Sequence, residues 1–163
     1  MEIFLIRHGK AEDFSASGGD AARRLTEKGW TQAEAVGAML RGMEQVPELV
    51  LSSPLARARE TAEGIMASAG LTGEPVIVDW LGFGMEATEV MRELGALKAG
   101  VNRVALVGHE PSCSGFVERV MASQDGYVDF KKASVAWFSA NPPSMRGMVL
   151  RMLVPPKALQ AVK

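Results

Sequence analysis

A single cysteine, Cys113, stands among 163 residues. A lone thiol excludes an internal disulfide framework and a zinc cage built from cysteines, and it fits a reducing compartment. An excess of one charge is missing too: 18 Lys and Arg against 19 Asp and Glu leave a net charge of -1. No basic field draws in nucleic acid or anionic lipid, so neither is an expected partner, although charge can still gather locally. No apolar run approaches the roughly 18 residues of a membrane span. The chain opens on "MEIFLIRHG" without a basic n-region or a cleavage site, so the expectation is a cytoplasmic protein with no membrane partner. Histidine is scarce: His8 and His109 are the only two, and without an obvious carboxylate cluster they make an incomplete ligand set. Neither a metal nor a cofactor is expected, and the ten methionines read as fillers of core gaps.

With 47% hydrophobic and 23% charged residues, a chain of this length can bury one sizeable core. One domain over 1–163 is the expectation. "EIFLI" (2–6) reads as a strand buried on both faces, because it lacks polar alternation. Residues 25–43 place Trp30, Ala33, Val36 or Gly37 and Leu40 at helical spacing, with Thr26 as the N-cap. Strands are predicted at 48–53, 75–80 and 103–108, and helices at 55–70, 86–100 and 112–124. Two further strands, 132–140 and 147–155, flank the turn-forming "NPPS" and read as an edge hairpin. Alternating strands and helices predict an α/β fold, a three-layer α/β/α sandwich whose central sheet is mostly parallel with an antiparallel edge.

In such sheets ligands bind at the carboxyl ends of the strands. Three polar clusters fall there: Arg7-His8-Gly9, Ser52-Ser53-Pro54 leading to Arg57, and Gly108-His109-Glu110. Each histidine follows a buried strand and adjoins a glycine that lets a substrate approach the backbone. A neutral imidazole is a competent nucleophile near pH 7 and can accept a phosphoryl group. Arg7 and Arg57 would clamp the anion with planar guanidinium forks, and His109 would donate to the same oxygens. The bland alternative makes each histidine a hydrogen-bonded structural residue.

"LIRHGKAE", "SSPLARARETA" and "VALVGHEP" resemble the histidine phosphatase superfamily, also called phosphoglycerate mutase-like. R-H-G alone is a weak motif; with S-P-x-x-R-A-x-x-T and strand-G-H in this order it is specific. "DAARRLTEKG" and "FKKASVAWF" are similar to segments of the small SixA-type branch, the phosphohistidine phosphatases. The resemblance covers most of the chain. It implies His8 as phosphoryl acceptor, Arg7, Arg57 and His109 as phosphate ligands, and no metal. It implies a hydrolase acting on a phosphorylated protein or a small phosphoester, with inorganic phosphate as product. Arg23 either joins the pocket or makes an ion pair with Asp20.

Larger relatives supply a general acid after the third strand, where this chain reads "DWLGFGMEATEV". Glu86 is the nearest candidate there, although it would also serve as helix first-turn charge, and Glu110 is the other. The absence of a convincing general acid favours substrates whose leaving group departs with little protonation, such as the imidazole of a P–N bond. Alternatives stay open. Cys113 and Arg119 match the C-x5-R spacing of cysteine-dependent phosphatases, although the apolar spacing of Phe116, Val117, Val120 and Met121 reads as a packed helix. A general phosphomonoesterase of the same superfamily, a catalytically silent module that binds phosphate or phosphoprotein, a metal-dependent hydrolase and a mutase are the others.

Overall fold

"EIFLIR" forms β1 (Glu2–Arg7), whose successive side chains point to opposite faces of a sheet. Ile3 and Leu5 enter one core with Leu106, Phe116 and Phe138. Phe4 and Ile6 enter a second with Val36, Leu40 and Ile65. Both faces are covered, hence the unbroken apolar run. The computed structural model describes residues 1–15, 18–123 and 126–160.

The other strands are β2 (Leu49–Ser52), β3 (Val76–Ile77), β4 (Arg103–Gly108), β5 (Val135–Ala140) and β6 (Met148–Val154). The sheet order is β3-β2-β4-β1-β5-β6. β3, β2, β4 and β1 pair in parallel, whereas β5 runs antiparallel to both β1 and β6. Helices α1 (Glu27–Gly42) and α2 (Ala56–Ala69) bury Ala33, Val36, Ala62 and Ile65 on the Phe4 face. Helices α3 (Ala87–Gly95) and α4 (Ser112–Val120) bury Val90, Leu94, Phe116 and Val117 on the Ile3 face. A short α5 (Pro156–Gln160) follows β6. The result is the expected three-layer α/β/α sandwich with a mixed central sheet.

Several boundaries depart from the sequence reading, each for a local reason. The strand expected at 75–80 shrinks to two exposed residues, because it lies at the sheet edge and the chain turns into a 3-10 segment at Asp79–Leu81. α3 ends at Gly95 rather than near Gly100, and its last turn closes through Ala96. α4 ends at Val120 rather than at 124, because Met121 caps it and Ala122 adopts φ 52, which a helix cannot continue through; residue 124 lies outside the described residues. The strand expected from 132 begins at Val135, because Ala133 adopts φ 60, which breaks an extended chain. The Ala133 N–H donates instead to the carbonyls of Arg7 and His8, which folds the 131–134 segment over the end of β1. Thr26 caps α1 as expected, accepting from the Gly29 N–H at 3.2 Å.

Candidate active site

β1, β2 and β4 end side by side, and backbone bonds hold those ends together. The His8 N–H donates to the Gly108 carbonyl and the Ser53 N–H to the Val107 carbonyl, both at 3.0 Å. The first turn of α2 then brings Arg57 over the same edge. Arg7, His8, Arg57 and His109 line one cavity of about 460 Å³, joined by Asp20, Arg23, Phe83, Glu110 and Lys132.

His8 is 5% exposed. Its Nδ1 lies 2.7 Å from the Gly9 carbonyl oxygen, which can only accept, so Nδ1 carries the proton. Nε2 is left with a free lone pair, and the Arg57 Nε–H points at it from 3.3 Å. This tautomer is what a nitrogen nucleophile needs. Gly9 is fixed in turn, because its N–H donates to Thr61 Oγ1 at 3.0 Å. Thr61 Oγ1 donates to the Arg57 carbonyl, so the His8-Gly9 strand end and Arg57 share one anchor on α2. A Cβ on Gly9 would stand 2.8 Å from the Gly29 carbonyl oxygen, and one on Gly29 would stand 2.2 Å from that of Lys10. The strand end and the start of α1 therefore touch backbone to backbone.

Arg57 is 2% exposed and uses all three nitrogens. Besides Nε, its Nη1 donates to the Asp20 carbonyl at 2.7 Å and its Nη2 to Asp20 Oδ2 at 3.0 Å. Burial lowers the Arg57 pKa, and the Asp20 carboxylate opposes that shift. The other Asp20 oxygen meets Arg23 Nη1 at 3.3 Å, so one carboxylate spans two cavity cations. Arg7 Nη1 donates to the Phe130 carbonyl at 2.7 Å, and its buried Nε has no partner among the described residues.

His109 Nε2 lies 2.7 Å from Ser53 Oγ, and that hydroxyl also accepts from the Leu55 N–H at 3.3 Å. Ser53 is fully buried. The arrangement that uses its proton has Ser53 donate to His109 Nε2, which makes Nδ1 the protonated nitrogen. His109 Nδ1 is buried with no partner among the described residues, a donor available to a ligand. The rings of His8 and His109 stand 5.1 Å apart, and Phe83 lies 5.2 Å from His109 and 5.5 Å from the Arg57 guanidinium carbon.

The two candidate acids separate. Glu110 is half-buried, lines the cavity and accepts from the Ser114 N–H at 3.2 Å. Glu86 sits exposed at the N-cap of α3 and lines a different depression between α3 and α4. The C-x5-R pair lies along α4 rather than in a phosphate-cradling loop. Cys113 is fully buried in its first turn, where burial pushes the thiol well above its usual pKa. Among the described residues, no three His, Cys, Asp or Glu side chains group to hold a metal, and no helix is long and apolar enough to cross a membrane.

Phe83 and Lys132 at the cavity were not singled out by sequence reasoning, and Asp20 was named only as an ion-pair partner of Arg23; the structure shows both readings of Arg23 together, in the cavity and paired with Asp20. The one local signal is the glycine pair around Phe83 in "LGFGM", which marks an aromatic displayed on a loop. Glu60 was missed as well. It is buried on α2 and accepts from Arg24 Nε at 2.5 Å and the Leu25 N–H at 2.7 Å, anchoring the segment that carries Asp20 and Arg23.

Burial, reinforced by the charges of His109, Arg57 and Arg7, holds the His8 pKa at about 3 against the opposing bond to Gly9. Burial with Arg57 and Arg7 holds His109 at about 4, opposed by Asp20. Both histidines start from 6.5 in the unfolded chain. Between those limits the unfolded chain binds more protons, so stability is complete above the unfolded value and falls as pH drops through it towards 4. Near pH 5 each histidine contributes a slope approaching about 1.4 kcal/mol per pH unit. Urea unfolding of the wild type and of His8→Asn at about pH 7 and about pH 5 checks this, and the variant is expected to lose less. Equal losses would contradict a neutral, buried His8.

This fold and edge belong to a known class. A sequence model of the histidine phosphatase superfamily (branch 1) matches residues 3–81. The chain is 34% identical over 144 residues to an uncharacterised protein of Picosynechococcus sp., covering 83% of this chain and 82% of that one. It is 31% identical over 112 residues to the phosphohistidine phosphatase SixA of Escherichia coli, covering 68% of each. The chain belongs to the histidine phosphatase superfamily, whose members are phosphatases. The structure of the protein histidine phosphatase SixA complexed with tungstate superposes with a TM-score of 0.84 at 25% identity, covering 98% of this chain and 99% of that one. A phosphoserine phosphatase of Entamoeba histolytica shares the fold, with a TM-score of 0.72 at 15% identity over 96% of this chain and 98% of that one.

Proposed function

We propose that this chain is a metal-independent, cytoplasmic phosphatase of one domain that takes a phosphoryl group onto His8 Nε2, with phosphohistidine in another protein as its substrate. The observation that carries this reading is the His8 ring itself, its Nδ1 proton committed to Gly9 and its Nε2 lone pair facing Arg57. A module that only binds phosphate has no use for a nucleophile prepared in this way. Likeness to SixA proteins in sequence and fold supports the substrate class.

In the proposed reaction the Nε2 lone pair forms a bond to phosphorus while the P–N bond of the substrate breaks; the other nitrogen of the substrate ring carries a proton, so the electron pair leaves on a neutral imidazole. Arg7, Arg57 and His109 Nδ1–H donate to the phosphoryl oxygens as charge develops. Water then attacks phosphorus, the P–Nε2 bond breaks and inorganic phosphate leaves. Stopped mid-turnover, the wild type is expected to hold an acid-labile, base-stable phosphoryl group that maps to His8. Turnover should be unchanged in EDTA. Label on Cys113, or activity lost to EDTA and restored by Zn²⁺ or Mn²⁺, would refute the assignment.

Because Glu110 lines the cavity and Glu86 does not, Glu110 is the carboxyl we assign to give the leaving atom a proton. Imidazole needs that proton little and a serine alkoxide needs it badly. Phosphohistidine and activated aryl phosphates are therefore expected to exceed phosphoserine in kcat/KM by about 10²-fold or more. Glu110→Gln should widen that gap, and Glu86→Ala should leave it unchanged. Equal efficiency for phosphoserine and phosphohistidine in the wild type would instead identify a general phosphomonoesterase.

A further inference from the structure

Beside the phosphate cavity runs a larger groove of about 740 Å³, lined by Arg7, Lys10, Lys28, Lys131, Lys132 and Lys157. The chain has seven lysines, and five of them gather here in a protein whose net charge is -1. One carboxylate, Asp129, stands among them and pairs with Lys131 at 2.8 Å. Among the described residues, Lys10, Lys28, Lys132 and Lys157 have no carboxylate within the 4.0 Å of an ion pair. Arg7 and Lys132 line both the groove and the phosphate cavity, so the two adjoin. Lys132 registers the crowding. Its ammonium is pulled below the usual pKa by burial first, then by Arg7, Arg23 and Lys10, with Asp13 opposing.

We infer that this groove docks an acidic segment of the protein substrate alongside its phosphorylated residue. The inference rests on the proposed phosphohistidine reading only for the identity of the chain that brings the segment. Four unpaired lysines repel one another unless an anion lies between them, and a groove of this size accommodates several side chains. The kind of cation favours a polypeptide over a second phosphate. Lysine is a mobile point charge that reads net negative charge, whereas a defined phosphate is read by guanidinium forks and backbone N–H groups. Here Arg7 alone offers a fork, and it also serves the phosphate cavity. Pro155 and Pro156 offer no N–H, and with Leu153 they give an apolar wall for the stems of glutamate and of neighbouring apolar residues.

The test uses the intact protein and a triple variant, K10E/K28E/K157E, whose three side chains are exposed and lie outside the phosphate cavity. The probes are free phosphohistidine, short phosphohistidine peptides with glutamate or glutamine flanks, the unphosphorylated glutamate peptide, a single-stranded oligonucleotide and pyrophosphate. The wild type is expected to prefer the glutamate peptide over the glutamine peptide by about tenfold in kcat/KM, a preference that raised salt removes. The triple variant should lose that preference and bind the unphosphorylated glutamate peptide at least about tenfold more weakly, with unchanged turnover of free phosphohistidine. K10Q/K28Q/K157Q should fall between the two. Preference kept in the variants, turnover of free and peptide substrates lost together, or tighter binding of oligonucleotide or pyrophosphate than of the glutamate peptide would overturn the inference. Failure of the wild type to hydrolyse free phosphohistidine, with charge-dependent peptide binding intact, would instead sink the proposed reaction and leave the groove standing.

Discussion

His8→Ala is expected to lower turnover of every phosphorylated substrate by about 10³-fold or more, the scale of removing a nucleophile from a preorganised site, and to abolish the phosphoenzyme. The loss should lie in the chemistry and not in binding. Arg57 remains clamped to Asp20, Arg7 to Phe130, and His109 keeps its Ser53 partner, so the anion donors stay where they are. The variant should still bind tungstate, read by calorimetry or by a rise in Tm, because that oxyanion needs donors and no nucleophile. An inactive variant that also fails to bind tungstate would mean that His8 holds the pocket together instead of attacking phosphorus. Undiminished turnover would remove His8 from the reaction.

Arg57→Ala should show the complementary pattern. A preorganised donor aimed at developing charge contributes about 2.7–4 kcal/mol, so kcat should fall about 10²- to 10³-fold. Tungstate affinity should fall with it, since the ground-state anion meets the same guanidinium. Two further consequences follow from the partners of Arg57. His8 Nε2 loses the donor that faces it, and Asp20 loses the cation that balances it most closely. Asp20 is half exposed and water can take over its solvation, which keeps the stability cost below the catalytic one. Arg57→Lys should recover only a minor part of the loss. One ammonium cannot face the His8 nitrogen, the Asp20 carbonyl and Asp20 Oδ2 together, as the fork does. Steady-state kinetics on an activated aryl phosphate, paired with tungstate titration, separates the two variants. Activity of Arg57→Ala within tenfold of the wild type would refute the clamp.

What was readable from the sequence was whatever lies within a few residues of an apolar run. Arg7, His8 and His109 follow strands whose burial shows as unbroken hydrophobicity, and Arg57 lies one helical turn past a strand that stops at Pro54. The meeting of these four at one sheet edge then follows from parallel topology. Residues that approach the cavity from loops gave no such sign. Phe83 and Lys132 arrive on segments whose course depends on a 3-10 turn and on the left-handed Ala133, neither of which has a periodicity to detect. Glu86 and Glu110 were indistinguishable as acids for the same reason, because which of them reaches the cavity depends on how the loop after β3 and the start of α4 settle. Buried Glu60 and Glu118 are a different failure. On paper each is an ordinary helix carboxylate, and only the folded chain shows each accepting loop N–H groups.

The two-residue repeat of β1 has a consequence for how the strand keeps its phase. Odd positions, Ile3 and Leu5, lead to Arg7, which reaches the carbonyl of Phe130, a residue of the core that Ile3 and Leu5 enter; even positions, Phe4 and Ile6, lead to His8, which faces Arg57. A slip of one residue would exchange the guanidinium and the imidazole while leaving apolar side chains on both faces. Hydrophobicity, which polices register in a strand with one wet face, is therefore indifferent here. The phase is set at the strand's end, where Gly9 rests on Gly29 and donates to Thr61, a fit that no neighbouring residue of β1 can imitate. In this sheet the core supplies the cohesion and the site itself keeps the reading frame.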